Sequence, residues 1–212
     1  MRKNILGWVV GSVTVVGAFL LLNGMFSTFE MLVYPDYATA ATSSVTVSAS
    51  ITAVISCSTN TGSTDFGTWT DTSIKTATPN ASSTMSCINS AAGCTLYVKD
   101  LGDSSNNPGL WNSTSSKLIA SANTTLVGGT EGYGIQATST VTGNGDTLDF
   151  SATYNKTGDV VGGLLTTNAT LASTNATSSN REAVVTHKAA IANSTPAGTY
   201  NDTITYECTQ TP

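Results

Sequence analysis

From Val45 to Ile55 apolar and polar side chains alternate. Val45, Val47, Ala49, Ile51, Ala53 and Ile55 take one parity and Thr46, Ser48, Ser50 and Thr52 the other, with Val54 alone breaking the polar side. A period of two marks a strand with one dry face and one wet face. Shorter runs of the same pattern predict strands over residues 82–88, 94–99, 132–138, 147–154, 183–191 and 199–208. Turn-forming groups separate them: Pro79-Asn80, Asn107-Pro108-Gly109, Gly128-Gly129, Gly143-Asn144-Gly145, Gly162-Gly163 and Pro196-Ala197-Gly198. No sustained helical period follows residue 41. The expected class is therefore all-β, one antiparallel β-sandwich domain over residues 41–212. The Ser/Thr/Asn-rich stretches 112–116 and 173–180 read as its exposed loops.

The first forty residues break this pattern. Arg2 and Lys3 precede an uncharged, mainly apolar run from Ile5 to Leu22, and Ala38-Thr39-Ala40 offers a small-x-small cleavage site, which is the layout of a secretory signal. The run of 18 residues also just suffices to cross a bilayer core. Residues 1–40 are read as a signal peptide or a membrane anchor, with membrane contact only through residues 5–22 if they are uncleaved. In either case residues from 41 onward are expected outside the cytoplasm, extracellular or at the cell surface.

Charge narrows the partners. Eight Lys and Arg are scattered from Arg2 to Lys188 and the net charge is −5, so no clustered cationic surface can be assembled to displace counterions from phosphates. A nucleic-acid partner is excluded on that ground. Ser and Thr fill 64 of 212 positions and supply the wet faces of the strands, Thr with good strand propensity.

Four cysteines in an exported chain predict two disulfides. Strand parity turns Cys87, Cys94 and Cys208 toward the apolar side, with Met85, Leu96 and Val98, and Tyr206 as same-face neighbours. Antiparallel neighbours bring the start of one strand beside the end of the next, which favours Cys57–Cys87 and Cys94–Cys208. The alternative joins Cys87 to Cys94 across the short loop 88–93 and leaves Cys57 for Cys208. The spacing of the cysteines and the remote position of His187 argue against zinc.

Other candidate chemistry is weighed against turns and packing. His187, in Val184-Val185-Thr186-His187-Lys188, is assigned to the polar face of its strand, and no Gly-x-Ser-x-Gly elbow accompanies it, so no enzymatic activity and no cofactor are expected. Asp100, Asp103, Asn106 and Asn107, and the run Asn144, Asp146, Asp149, offer oxygen ligands but match no calcium-loop spacing and are read as turns. Gly128 to Gly134 lacks the lysine and helix of a phosphate cradle and is read as a hairpin turn. Trp69, Trp111, Tyr97 and Tyr133 could line a sugar-binding face, because aromatic rings stack on the apolar faces of sugars.

Taken together, the run Val45 to Ile55, then Cys57, Asp65-Phe66-Gly67 and Ser86-Cys87, resembles the start of spore coat protein U domains and archaic chaperone-usher pilins. Thr195-Pro196-Ala197-Gly198-Thr199-Tyr200-Asn201-Asp202-Thr203-Ile204-Thr205 is similar to their closing strand. The resemblance covers residues 44–100 and 195–208. It implies an immunoglobulin-like sandwich lacking its last strand, the gap being filled by the N-terminal extension of the next subunit. It also implies that residues 44–55 are a donor strand with Val45, Val47, Ala49, Ile51, Ala53 and Ile55 as plugs, and that the partner is another copy or a related subunit. The expected function is a non-enzymatic, pilin-like or coat-like structural protein of the cell surface. The alternative is a monomeric adhesin or carbohydrate-binding module.

Overall fold

The computed structural model describes residues 45–140 and 142–211. The signal or anchor expected over residues 1–40 lies outside them. Among the described residues the chain forms strands and no helix: β1 (Val54–Thr59), β2 (Lys75–Thr76), β3 (Ala81–Ile88), β4 (Cys94–Asp100), β5 (Gly109–Asn112), β6 (Lys117–Ala120), β7 (Thr124–Thr125), β8 (Gly132–Ser139), β9 (Asn144–Gly145), β10 (Asp149–Phe150), β11 (Val160–Val161), β12 (Ala169–Ser173), β13 (Ser178–Ala190) and β14 (Ile204–Gln210). All the strand pairs are antiparallel.

The larger sheet is organised by β13, whose 13 residues pair with β3 and β2 along one flank and with β8 and β9 along the other, while β1 closes the sheet beyond β3. The second sheet runs β10-β12-β4-β14. Hairpin β5–β6 and the pair β7–β11 stand apart from both. Alternation explains which faces meet. Cys94, Leu96, Val98 and Asp100 are buried on β4 while Thr95, Tyr97 and Lys99 are only half-buried, and β13 buries Arg181, Ala183, Val185, His187 and Ala189 in the same way. Met85, Leu96, Val98, Ile135, Leu171 and Val185 are fully buried in one cluster drawn from both sheets. Much of the rest of that core is alanine, so it is lean, and covalent staples add what small side chains do not.

Those staples are Cys57–Cys208, with Cα atoms 5.8 Å apart, and Cys87–Cys94, at 5.9 Å. The favoured pairing Cys57–Cys87 and Cys94–Cys208 is therefore incorrect, and the alternative holds. The ladder registers give the reason. Cys57 lies opposite Met85 and Cys87 opposite Ile55, while Cys94 lies opposite Gln210 and Cys208 opposite Leu96, so neither in-sheet pair is in register. Side chains that point into a core reach the facing layer rather than the strand beside them. Both bridges accordingly cross between the sheets, from β1 to β14 and from β3 to β4.

Four predicted strands change length, the last, 199–208, starting only at Ile204 and running on to Gln210. Residues 45–53 carry no regular structure and β1 starts only at Val54. Within 147–154 only Asp149–Phe150 is extended, because the chain turns at Ser151, whose carbonyl accepts from Tyr154 and Asn155. Strand 183–191 instead grows backward to Ser178 through a bulge between Ser178 and Arg181, where Asn180 takes φ 52°.

Candidate functional site

Both sheets end on one side of the molecule in an unshared edge. Among the described residues β1 pairs only with β3 and β14 only with β4, and the Cys57–Cys208 bridge ties these two edge strands together. On β14 the core-directed residues Ile204, Tyr206 and Cys208 are half-buried, whereas their counterparts on β4 are fully covered. Leading into β1, Val45, Val47 and Ile51 are 86, 89 and 77% exposed, Ala49 is exposed, and Ala53 and Ile55 are half-buried. Of the six alternating residues only Ile55 sits in a ladder, opposite Cys87. Residues 45–53 pair with no strand among the described residues. An alternating, strand-competent segment thus leads in sequence into β1, and the outer edges of β1 and β14 have no partner among the described residues.

A second cluster was not anticipated. Asp100, Tyr133 and His187 are 1, 1 and 4% exposed, and Asp202 and Tyr206 lie close by. Asp100 accepts from the amides of Gly102 at 2.5 Å and Gly109 at 2.7 Å, while Tyr133 Oη lies 2.9 Å from His187 Nδ1. The assignment of His187 to the polar face is corrected here: it shares its parity with Val185 and Ala189, and that is the inward one. Burial holds its imidazole down to about 4, so it is neutral at pH 7. Burial, reinforced by the negative charges of Asp202 and Asp100, pushes Tyr133 well up, and burial raises Tyr206 also. The cluster contributes no residue to the cavity of about 460 Å³ described below. Its sequence signal was parity: Asp100 extends the inward row Cys94-Leu96-Val98 and Asp202 begins the row Ile204-Tyr206-Cys208.

The remaining candidates resolve into structure. Asp103 receives the amides of Ser105 and Asn107, both at 2.8 Å, as turn residues do, whereas Asp146 and Asp149, the latter on β10, receive the main-chain and side-chain amides of the distant Asn175 and so tie two segments together rather than form a turn. No group of three or more metal-ligating side chains forms among the described residues. Trp69 stacks on Phe66 at 5.2 Å and donates to the Ser73 carbonyl, and Phe66 meets the buried Tyr133 edge-on at 6.3 Å; Trp111 bridges to Asn201, and Tyr97 is half-buried on β4 opposite Glu207. An uncharged cavity of about 460 Å³, bounded by Asn123, Ser151, Thr153, Leu164, Leu165 and Thr170, contains no tryptophan. Val127 to Thr130 closes as a turn, with the Thr130 amide on the Val127 carbonyl, but not as the hairpin expected over Gly128 to Gly134, because β7 pairs with β11 and β8 with β13.

Two disulfides and no free cysteine among the described residues point to an oxidising, extracellular environment. No helix among those residues is long and apolar enough to cross a membrane. No family model matches the chain, and no curated protein or solved structure matches it significantly.

Proposed function

We propose that the protein is an exported, non-enzymatic structural subunit of the cell surface, and that residues 45–55 of one copy complete the sheet edge of the next. The observation that carries this reading is the unpaired alternating segment Val45 to Ala53, with its large apolar residues in water, leading into β1, together with two outer edges that have no partner among the described residues. Burying three residues of the Val and Ile class is worth about 1.5–3 kcal/mol each, and backbone ladder bonds add register and orientation. An extended exposed segment of this kind is a liability in a monomer and an asset in an assembly.

The strand connectivity supports the finer fold assignment. In an immunoglobulin-like sandwich the first, second and fifth strands share a sheet, and the third pairs with the sixth, which itself lies beside the seventh. Here β1-β3-β13 and β4-β14 match that arrangement through the sixth strand, and the place beside β14 is vacant among the described residues. The half-covered residues Ile204 and Tyr206 would form the floor under an added strand. The binding-module alternative has less to rest on, since the one aromatic residue lining the cavity described, Tyr154, is 2% exposed and offers little ring face to a ligand.

Size-exclusion chromatography with light scattering on the exported protein tests the reading. The wild type is expected to form multimers, and Val47→Asp combined with Ile51→Asp to run as a monomer of unchanged thermal stability. If the wild type is a monomer at high concentration and the variant behaves identically, strand exchange is wrong.

A further inference from the structure

The ladder between β4 and β14 sets two carboxyl groups side by side in the core. Asp100 is paired with Ile204, so Asp202, two residues earlier, is its diagonal neighbour on the same face. The Leu101 amide donates to the Thr203 carbonyl at 2.9 Å and closes the ladder at that end. Each oxygen of Asp100 accepts a backbone amide, Gly102 on one and Gly109 on the other. Asp202 has a buried oxygen without a partner, and so does the Tyr206 hydroxyl.

The groups facing the pair are Tyr133 from β8, Tyr206 from β14 and, behind Tyr133, the neutral His187 from β13; Asp103 adds a further negative charge near Asp100. Among the described residues no cation is hydrogen-bonded to either carboxyl, the ion pairs being Lys117–Glu131 and Lys188–Asp159. Two adjacent buried carboxyls without a cation do not both ionise near neutrality. Asp100, fed by two amides, keeps the charge, and Asp202 keeps the proton. In line with this, burial and the charge of Asp100 push Asp202 up to about 8, and burial raises Asp100 too.

We propose that the single proton shared by Asp100 and Asp202 latches the head of β14 to the loop 101–109, and that its loss in mildly alkaline solution opens this end while the rest of the fold stays closed. Once both carboxyls are ionised, the least costly relief is for residues 201–203 to swing outward, since Asn201 and Thr203 already face water. The connections that would break are Leu101 to Thr203 and the two-way bridge between Trp111 and Asn201, at 2.8 and 2.9 Å. Metal binding is not involved, and the latch is independent of strand exchange.

Amide hydrogen exchange of the full chain between pH 6 and 8 tests the latch. After correction for intrinsic rates, protection at Leu101, Trp111 and Asn201 is expected to fall about tenfold per pH unit, as opening coupled to release of one proton requires. Met85 and Val185, which exchange only through global unfolding, should stay far better protected throughout, and Asp202→Asn should abolish the slope at the three reporter amides. Reporter amides as well protected as Met85 and Val185 across this range, or a slope that survives in the variant, overturn the proposal. If the variant does not fold, carbon NMR of the unaltered protein decides: titration of the Asp202 carboxyl near 4 refutes the latch, and titration near 8 upholds it.

Discussion

Replacing Cys57 and Cys208 together by serine removes the staple between the first and last strands of the folded unit. The bridge closes a loop of 151 residues, for which the chain-entropy relation gives a loss of about 5 kcal/mol. The same relation gives only about 2.4 kcal/mol for the Cys87–Cys94 loop, whose sequence separation is 7. The long bridge is also the cleaner probe. Cys57 is exposed, so serine there sacrifices little packing, whereas Cys87 and Cys94 are fully buried and their removal also leaves a void. Urea unfolding followed by circular dichroism should show the double variant losing about 5 kcal/mol with a steeper m, because the uncrosslinked unfolded chain exposes more surface. In heat this corresponds to roughly 10–20 °C in Tm. A loss below about 1 kcal/mol with an unchanged m would refute the reasoning, and so would a peptide map of the unreduced protein joining Cys94 to Cys208.

Global stability should be nearly level from pH 4.5 to 6.5, then fall by about 2 kcal/mol toward pH 8. Asp202, raised to about 8, binds its proton more tightly folded than unfolded and loses that advantage as pH rises; His187, held at about 4, contributes stability that is lost as pH falls below 6.5, and below 6.5 the two slopes cancel. A wild-type profile that rises from pH 6.5 to 8 contradicts this. Gly93→Ala should cost on the order of 2–3 kcal/mol in urea, because φ is 78° and a Cβ would overlap the Thr174 carbonyl; an effect under about 0.5 kcal/mol would mean that the loop relaxes freely. Arg181→Met should lose about 2–3 kcal/mol and make residues 142–146 a site of limited proteolysis, since the guanidinium holds the carbonyls of Thr142, Gly145 and Asp146. An unchanged digestion pattern would show that these bonds do not restrain the loop.

Strand positions were legible where alternation ran between clear turns: the predicted 82–88, 94–99 and 132–138 lie within the observed β3, β4 and β8. Alternation failed where it promised more than the chain could pair. Residues 45–53 have an uninterrupted period of two but no ladder partner among the described residues, and residues 151–154 yield to the turn at Ser151. The disulfide pairing missed because it reasoned along strands within a layer, while parity had already aimed three sulfurs across the core. The same parity, counted correctly, places His187 inward beside Val185. The Asp100–Asp202 pair joins residues 102 positions apart, which only the β4–β14 register brings together; what each row of alternating residues does show is that an acid stands where an apolar side chain is due.

The bridge from Cys57 to Cys208 has a mechanical consequence. Tension applied at the two ends of the described chain passes through the sulfurs and bypasses the 150 residues between them, so that only the short tails outside the ring can be drawn out. A single protease nick in any loop inside that ring likewise releases no fragment until a reductant arrives. For a particle facing an extracellular medium, the crosslink makes tearing and trimming much harder while leaving the leading segment free.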